Sequence, residues 1–106
     1  MNDPQFVEAA RHLAERALTG GGSTPETRFE FVGEQLLARP FDQREVKVLS
    51  GAWHDFLSYY DANPQDAKKL LAVGESKADD KLNPAEFAAM TMIVNQVMNL
   101  DEVLVK

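Results

Sequence analysis

No cysteine occurs among the 106 residues, which excludes disulfides, thiol catalysis, thiolate metal sites and covalent haem attachment through C-x-x-C-H within this segment. Positive charge is also scarce: 17 acidic residues against 11 basic ones give a formal net charge of −6. That balance offers no footprint for phosphate backbones or an anionic bilayer surface, so neither nucleic acid nor membrane is expected as a partner. The only two histidines, His12 and His54, do not form an H-E-x-x-H or comparable ligand spacing, and a lone histidine makes no metal site. Alternation of apolar and polar residues never persists beyond a few positions, so no strand is expected. The N-terminal stretch MNDPQFVEAARHLAERAL lacks the apolar core of a signal peptide, which fits either a cytosolic chain or a piece of a longer one.

What is present points to helices. With 44% hydrophobic residues, the chain suits one domain, 1–106, with a single core. The most apolar window, LNPAEFAAMTMIVNQVMNL from Leu82 to Leu100, predicts a helix that the others surround. Asn83 suits its N-cap, Pro84 its first position and Glu86 a capping box. Phe87, Met90, Val94, Val97 and Met98 fall on one side, and Ala89, Met92, Ile93 and Leu100 fill much of the rest, as in a buried helix. Glu86, Asn95, Gln96 and Asn99 interrupt the run, so a membrane span is not expected.

Four further helices precede it. Asp3 and Pro4 open the first, with Phe6, Val7, Ala10, Leu13, Ala14, Ala17 and Leu18 at helical spacing until the run Gly20, Gly21, Gly22. Ser23 or Thr24 caps the second, which carries Phe29, Val32, Leu36 and Leu37 and ends by Arg39 and Pro40. Asp42 and Glu45 make a capping box for the third, lined by Val46, Leu49, Trp53, Phe56, Leu57 and Tyr60. Asn63 and Pro64 open a short fourth helix, with Ala67, Leu70, Leu71 and Val73 inward and Gly74 closing it. The expected fold is an all-α bundle of about five helices with the C-terminal helix central. Gly33 and Gly51 lie inside helical patterns, which suggests close helix approach at both.

Candidate sites are weighed against plainer roles. Glu75 to Glu86 resembles a calcium loop at Glu75, Asp79, Asn83 and Glu86. However, Lys77 stands where an oxygen ligand belongs and Asp80 replaces the turn glycine, so a polar loop leading into a capped helix is expected. Glu8 with Arg11 and His12 reads as a set of solvated helix contacts. Trp53, Phe56 and Tyr60, like Met90, Met92 and Met98, read as core, with Tyr59 off the inward stripe. Ser23, Ser50, Ser58 and Ser76 lack the context of a nucleophile. No catalytic, cofactor-binding or metal-ligating residue is assigned, and no cofactor is expected.

Four phrases stand in order along the chain: NDPQFVEAARHLAER, LLARPFDQREV, LLAVGES and NPAEFAAMTMIVNQVMNLDEVL. Together they resemble the C-terminal end of the large planctomycete-type secreted proteins of unknown function, in which cytochrome c-like domains often precede two family-specific domains. The resemblance implies a C-terminal fragment of a longer protein, located outside the cytoplasm, with its signal peptide far upstream and any haem in another domain. It carries no catalytic residue onto this chain. The expected function is a non-catalytic helical accessory or protein-interaction domain, its partners being other domains of the parent protein or a separate protein. The partner surface is expected at Glu75 to Lys81 and the C-terminal tail. The alternative is an auxiliary domain of an extracytoplasmic haem-associated redox or polymer-processing enzyme whose active site lies upstream.

Overall fold

Among the described residues five helices follow one another, each punctuated where proline, glycine or a capping side chain places a boundary. The computed structural model describes residues 4–72 and 81–105, with side chains for 7–72 and 81–99. Helices α1 (Pro4–Gly20), α2 (Pro25–Leu37), α3 (Gln43–Ala62), α4 (Pro64–Leu71) and α5 (Pro84–Val105) make an all-α fold. Helix α5 packs on each of the other four, most extensively on α1, then on α3 and α4. Asp3, Val73 and Gly74, given capping or core roles by the sequence, lie outside the described residues.

The caps explain most of the boundaries. Thr24 accepts from the Thr27 N–H at 3.2 Å, and the Thr27 hydroxyl accepts in turn from the Thr24 N–H, so a threonine fills the place usual for glutamate in a capping box. At α3 the pair is the expected one: Asp42 Oδ1 accepts from the Glu45 N–H at 2.8 Å, and Glu45 Oε1 accepts from the Asp42 N–H at 2.9 Å. At α5, Asn83 Oδ1 accepts from the Glu86 N–H at 3.1 Å. Glu86 turns its carboxylate toward Arg28, 3.9 Å away, which ties the starts of α2 and α5.

Asn63 departs from expectation. Its side chain makes no N-cap bond to α4; instead its Nδ2 donates to the Tyr59 carbonyl at 2.8 Å and satisfies an orphan acceptor at the end of α3. Its own carbonyl, rather than its side chain, receives the Asp66 and Ala67 N–H groups. Helix α2 ends at Leu37 on Ala38, whose φ of 56° places a residue with a Cβ where glycine is usual.

The core is built on α5. Phe87, Ala88, Ala89, Met90, Ile93, Val94 and Val97 are buried, joined by Ala10, Leu13, Ala14 and Ala17 of α1, Phe29 and Val32 of α2, and Leu49, Trp53 and Tyr60 of α3. Trp53 meets the Phe29 ring edge-on at 6.4 Å, so it anchors α3 against α2. The polar residues in α5 are absorbed differently. Thr91 donates to the Phe87 carbonyl at 2.8 Å within its own helix, whereas Asn95 Oδ1 and Gln96 Oε1 are buried without hydrogen-bond partners among the described residues.

The two mid-helix glycines are not equivalent. A Cβ on Gly33 would lie 3.0 Å from the Phe41 ring and 3.1 Å from the Arg39 carbonyl, so the close approach there is of the α2–α3 connection, not of a helix. At Gly51 a Cβ would meet nothing within 4 Å, and the expected helix contact is absent. Gly51→Ala should therefore stabilise the fold by about 1 kcal/mol, the helix-propensity difference, while Gly33→Ala should destabilise it. Thermal unfolding of the two variants reads the opposite signs directly.

Candidate functional site

The corner between α1 and α2 forms an open groove of ≈ 330 Å³, lined by Gly20, Gly21, Thr27, Glu30, Phe31, Glu34 and Gln35. Glycine is what lets the corner close. The Gly21 N–H donates to the Ala17 carbonyl at 2.8 Å, and a Cβ there would stand 2.5 Å from that oxygen and 3.2 Å from Phe31 Cβ. Gly22 then turns with φ of 93°, a conformation that glycine adopts without strain. Its carbonyl accepts from Arg28 Nε at 3.2 Å. Within the run the close packing is at Gly21, whereas a Cβ on Gly20 would meet nothing within 4 Å.

The groove is acidic on one wall and aromatic within. Glu30 and Glu34 stand four residues apart on α2, both exposed, and neither has an ion-pair partner among the described residues. From α1, Arg16 lays its guanidinium over the Phe31 ring at 5.8 Å and donates to Gln35 Oε1 at 3.2 Å. The C-terminal end of α1 at Gly20, the negative end of its macrodipole, closes the groove.

A second feature lies inside the molecule. Arg11, placed by the sequence among solvated contacts, is only 1% exposed. The correction has a physical reason: Arg11 lies four residues after Val7, three before Ala14 and seven before Leu18, within the apolar stripe of α1. Its Nη1 donates to the Leu71 carbonyl at 2.7 Å, capping the last turn of α4. Its Nη2 is 3.7 Å from Glu8 Oε2 and lacks a hydrogen-bond partner among the described residues. The arrangement is a cation at the negative end of a helix, held by burial.

The other candidates divide clearly. His12 and His54 are exposed on α1 and α3, and among the described residues no group of three or more His, Cys, Asp or Glu is placed to hold a metal ion. Trp53 and Tyr60 are buried, Phe56 is half-buried, Met90 is buried and Met92 and Met98 pack against the core. Tyr59 is 50% exposed, and its hydroxyl donates to Asp66 Oδ2, an acceptor that pushes the phenol above its ordinary range. Residues 75–80 of the calcium-like stretch, including Glu75, Asp79 and Asp80, lie outside the described residues, as does Ser76. Within its far end, Asn83 caps α5 and Glu86 faces Arg28. The expected partner surface at Glu75 to Lys81 and the tail also lies mostly outside the described side chains.

At the α2–α3 connection, Arg39 grips both oxygens of Glu45 at 2.9 and 3.0 Å. That pairing, with the Asp42 N–H, lowers the Glu45 carboxyl from 4.5 to about 2. A depressed carboxyl pKa contributes stability above its unfolded value and loses it as pH falls through the folded one. Glu45→Gln should therefore lower the melting temperature slightly at neutral pH, exposed pairs being weak, and the gap from the parent should close as pH approaches 2. Melting curves of the pair across that range measure it.

Comparison of the chain with known protein families, with curated proteins and with solved structures finds no match. Among the described residues no helix is long and apolar enough to cross a membrane.

Proposed function

We propose that this chain is a non-catalytic helical domain that engages a protein partner or a neighbouring domain within a larger secreted protein. The observation that carries the interaction role is the groove at the α1–α2 corner. It is open and lies beside the Thr24–Thr27 capping box, with an aromatic ring and two carboxylates that lack ion-pair partners among the described residues. Such a surface suits a side chain presented by another protein, for which polar rims and an apolar contact are the usual composition. The larger secreted parent is supported by the ordered phrases from NDPQFVEAARHLAER to NPAEFAAMTMIVNQVMNLDEVL. Any haem or catalytic chemistry then belongs to other domains of that parent.

The test is immunodetection of this segment in fractionated source cells. The proposal expects a band far larger than the 11.8 kDa of the chain, recovered outside the cytoplasm. A band at the size of the chain in the cytosolic fraction would overturn it.

A further inference from the structure

We infer that the outer face of α3 pairs two copies of this chain, antiparallel to each other and centred on Gly51. Arg44, Val48, Gly51, Asp55 and Tyr59 recur at three- and four-residue spacing, on the side of α3 opposite the buried Leu49, Trp53 and Tyr60. All five are exposed. Val48 at 57% and Tyr59 at 50% are the exposed large apolar side chains among the described residues, and both fall on this stripe. The Tyr59 ring is fixed without being covered, since its hydroxyl donates to Asp66 and its edge packs against Tyr60 at 5.2 Å. None of these residues lines the groove at the α1–α2 corner, so the face is independent of the partner role proposed above.

Gly51 leaves a gap in the stripe. A Cβ there would meet nothing within 4 Å, so no contact inside the chain asks for glycine, which weakens a helix relative to alanine. A second helix can approach closely over that gap, with its Val48 beside the bare backbone. Charge order selects the occupant. Arg44 precedes Gly51 by seven residues, whereas Asp55 and Tyr59 follow it by four and eight. An antiparallel copy crossing at Gly51 therefore sets Arg44 opposite the turn between its own Asp55 and Tyr59, and the two-fold axis makes the contact twice. A carboxylate and a ring are groups that a guanidinium suits well. Neither Arg44 nor Asp55 has an ion-pair partner among the described residues. A parallel copy would instead oppose Arg44 to Arg44 and Asp55 to Asp55.

The test is sedimentation equilibrium of the purified chain at concentrations up to about 1 mM, the range suited to a contact of one helix face per copy. The 11.8 kDa monomer should pass to a dimer. Arg44→Glu should weaken that dimer about tenfold, and Asp55→Arg should weaken it likewise although it reduces the net negative charge. Both changes in one chain exchange the signs of the pair, so the double variant should recover most of the parent's affinity. Gly51→Gln fills the gap with a neutral side chain that favours the helix. It should abolish dimerisation at these concentrations, while the melting temperature of the dilute chain holds or rises.

Each contrary result overturns the inference. A chain that stays monomeric at about 1 mM would leave the face to a different protein. A dimer strengthened by Asp55→Arg would be governed by net charge alone. Indifference to Gly51→Gln would place the interface on another face. Single variants that weaken the dimer without recovery in the double variant would exclude the antiparallel pairing. Unchanged helical circular dichroism of each variant excludes unfolding as the cause.

Discussion

Replacing Phe87 by alanine should lower the unfolding free energy by about 4 kcal/mol, the cost of truncating a large side chain in a core that collapses only partly. Phe87 is fully buried on α5, which all four other helices contact. A cavity there loosens the element that packs against all four other helices. About 4 kcal/mol is a large share of the 5 to 15 kcal/mol typical of a native domain. Denaturant unfolding at neutral pH should show the midpoint fall steeply with little change in slope. The matched control is Val48→Ala on α3: Val48 is 57% exposed, so its truncation should cost no more than about 0.5 kcal/mol. Similar losses for the two variants would mean that α5 is not the centre of the core.

The second large effect belongs to Arg11. Substitution of a buried charge by an apolar residue of like volume is sometimes neutral, because the desolvation cost of the charge disappears. Here that gain is outweighed. The Nη1 bond at 2.7 Å caps a carbonyl of the last turn of α4, and the methionine of Arg11→Met would leave that acceptor buried and unpaired. Loss of a hydrogen bond to a charged group costs about 1.5 to 3 kcal/mol, and Glu8 loses its cation as well. The expected loss is therefore about 2 kcal/mol, or about 10 °C in melting temperature for a domain of this size. Arg11→Lys should recover part of it, since an ammonium can still reach one carbonyl but lacks the fork. Amide exchange should accelerate first in α4. A methionine variant as stable as the parent would show that the carbonyl finds another partner and that Arg11 is not the cap of α4.

The contrast between Phe87 and Arg11 shows what the sequence makes legible. Phe87 lies in an apolar helix opened by Asn83 and Pro84, and the cap, the periodicity and the burial all agree in the structure. The same holds for the Asp42 and Glu45 box, where local chemistry alone decides the boundary. Arg11 was obscured because a glutamate three residues before an arginine has the same spacing on a wet surface as on a buried one. The signal lay in its neighbours Val7, Ala14 and Leu18, which share its side of α1.

Tertiary neighbours decide the remaining differences. Gly33 and Gly51 carry the same residue type inside helices, yet only Gly33 meets Phe41 and the Arg39 carbonyl. Asn63 has the sequence of an N-cap and uses its side chain on the preceding helix, because the end of α3 leaves a carbonyl of Tyr59 within its reach. The groove was not legible either. The spacing of Glu30 and Glu34 gives its acidic wall, but the end of α1 and the stacking of Arg16 on Phe31 come from the α1–α2 corner. Charge spacing marks one wall; packing makes the groove.

Native-state amide hydrogen exchange of the unmodified chain tests the organisation of the fold most directly, because the slowest amides identify the last element to open. The expected result is that amides from Met90 to Val97 in α5, together with those of α1 that pack on it, exchange only through global unfolding, with α2 and α4 opening earlier. Slowest exchange in α3, with the middle of α5 exchanging through local opening, would contradict an architecture centred on the last helix.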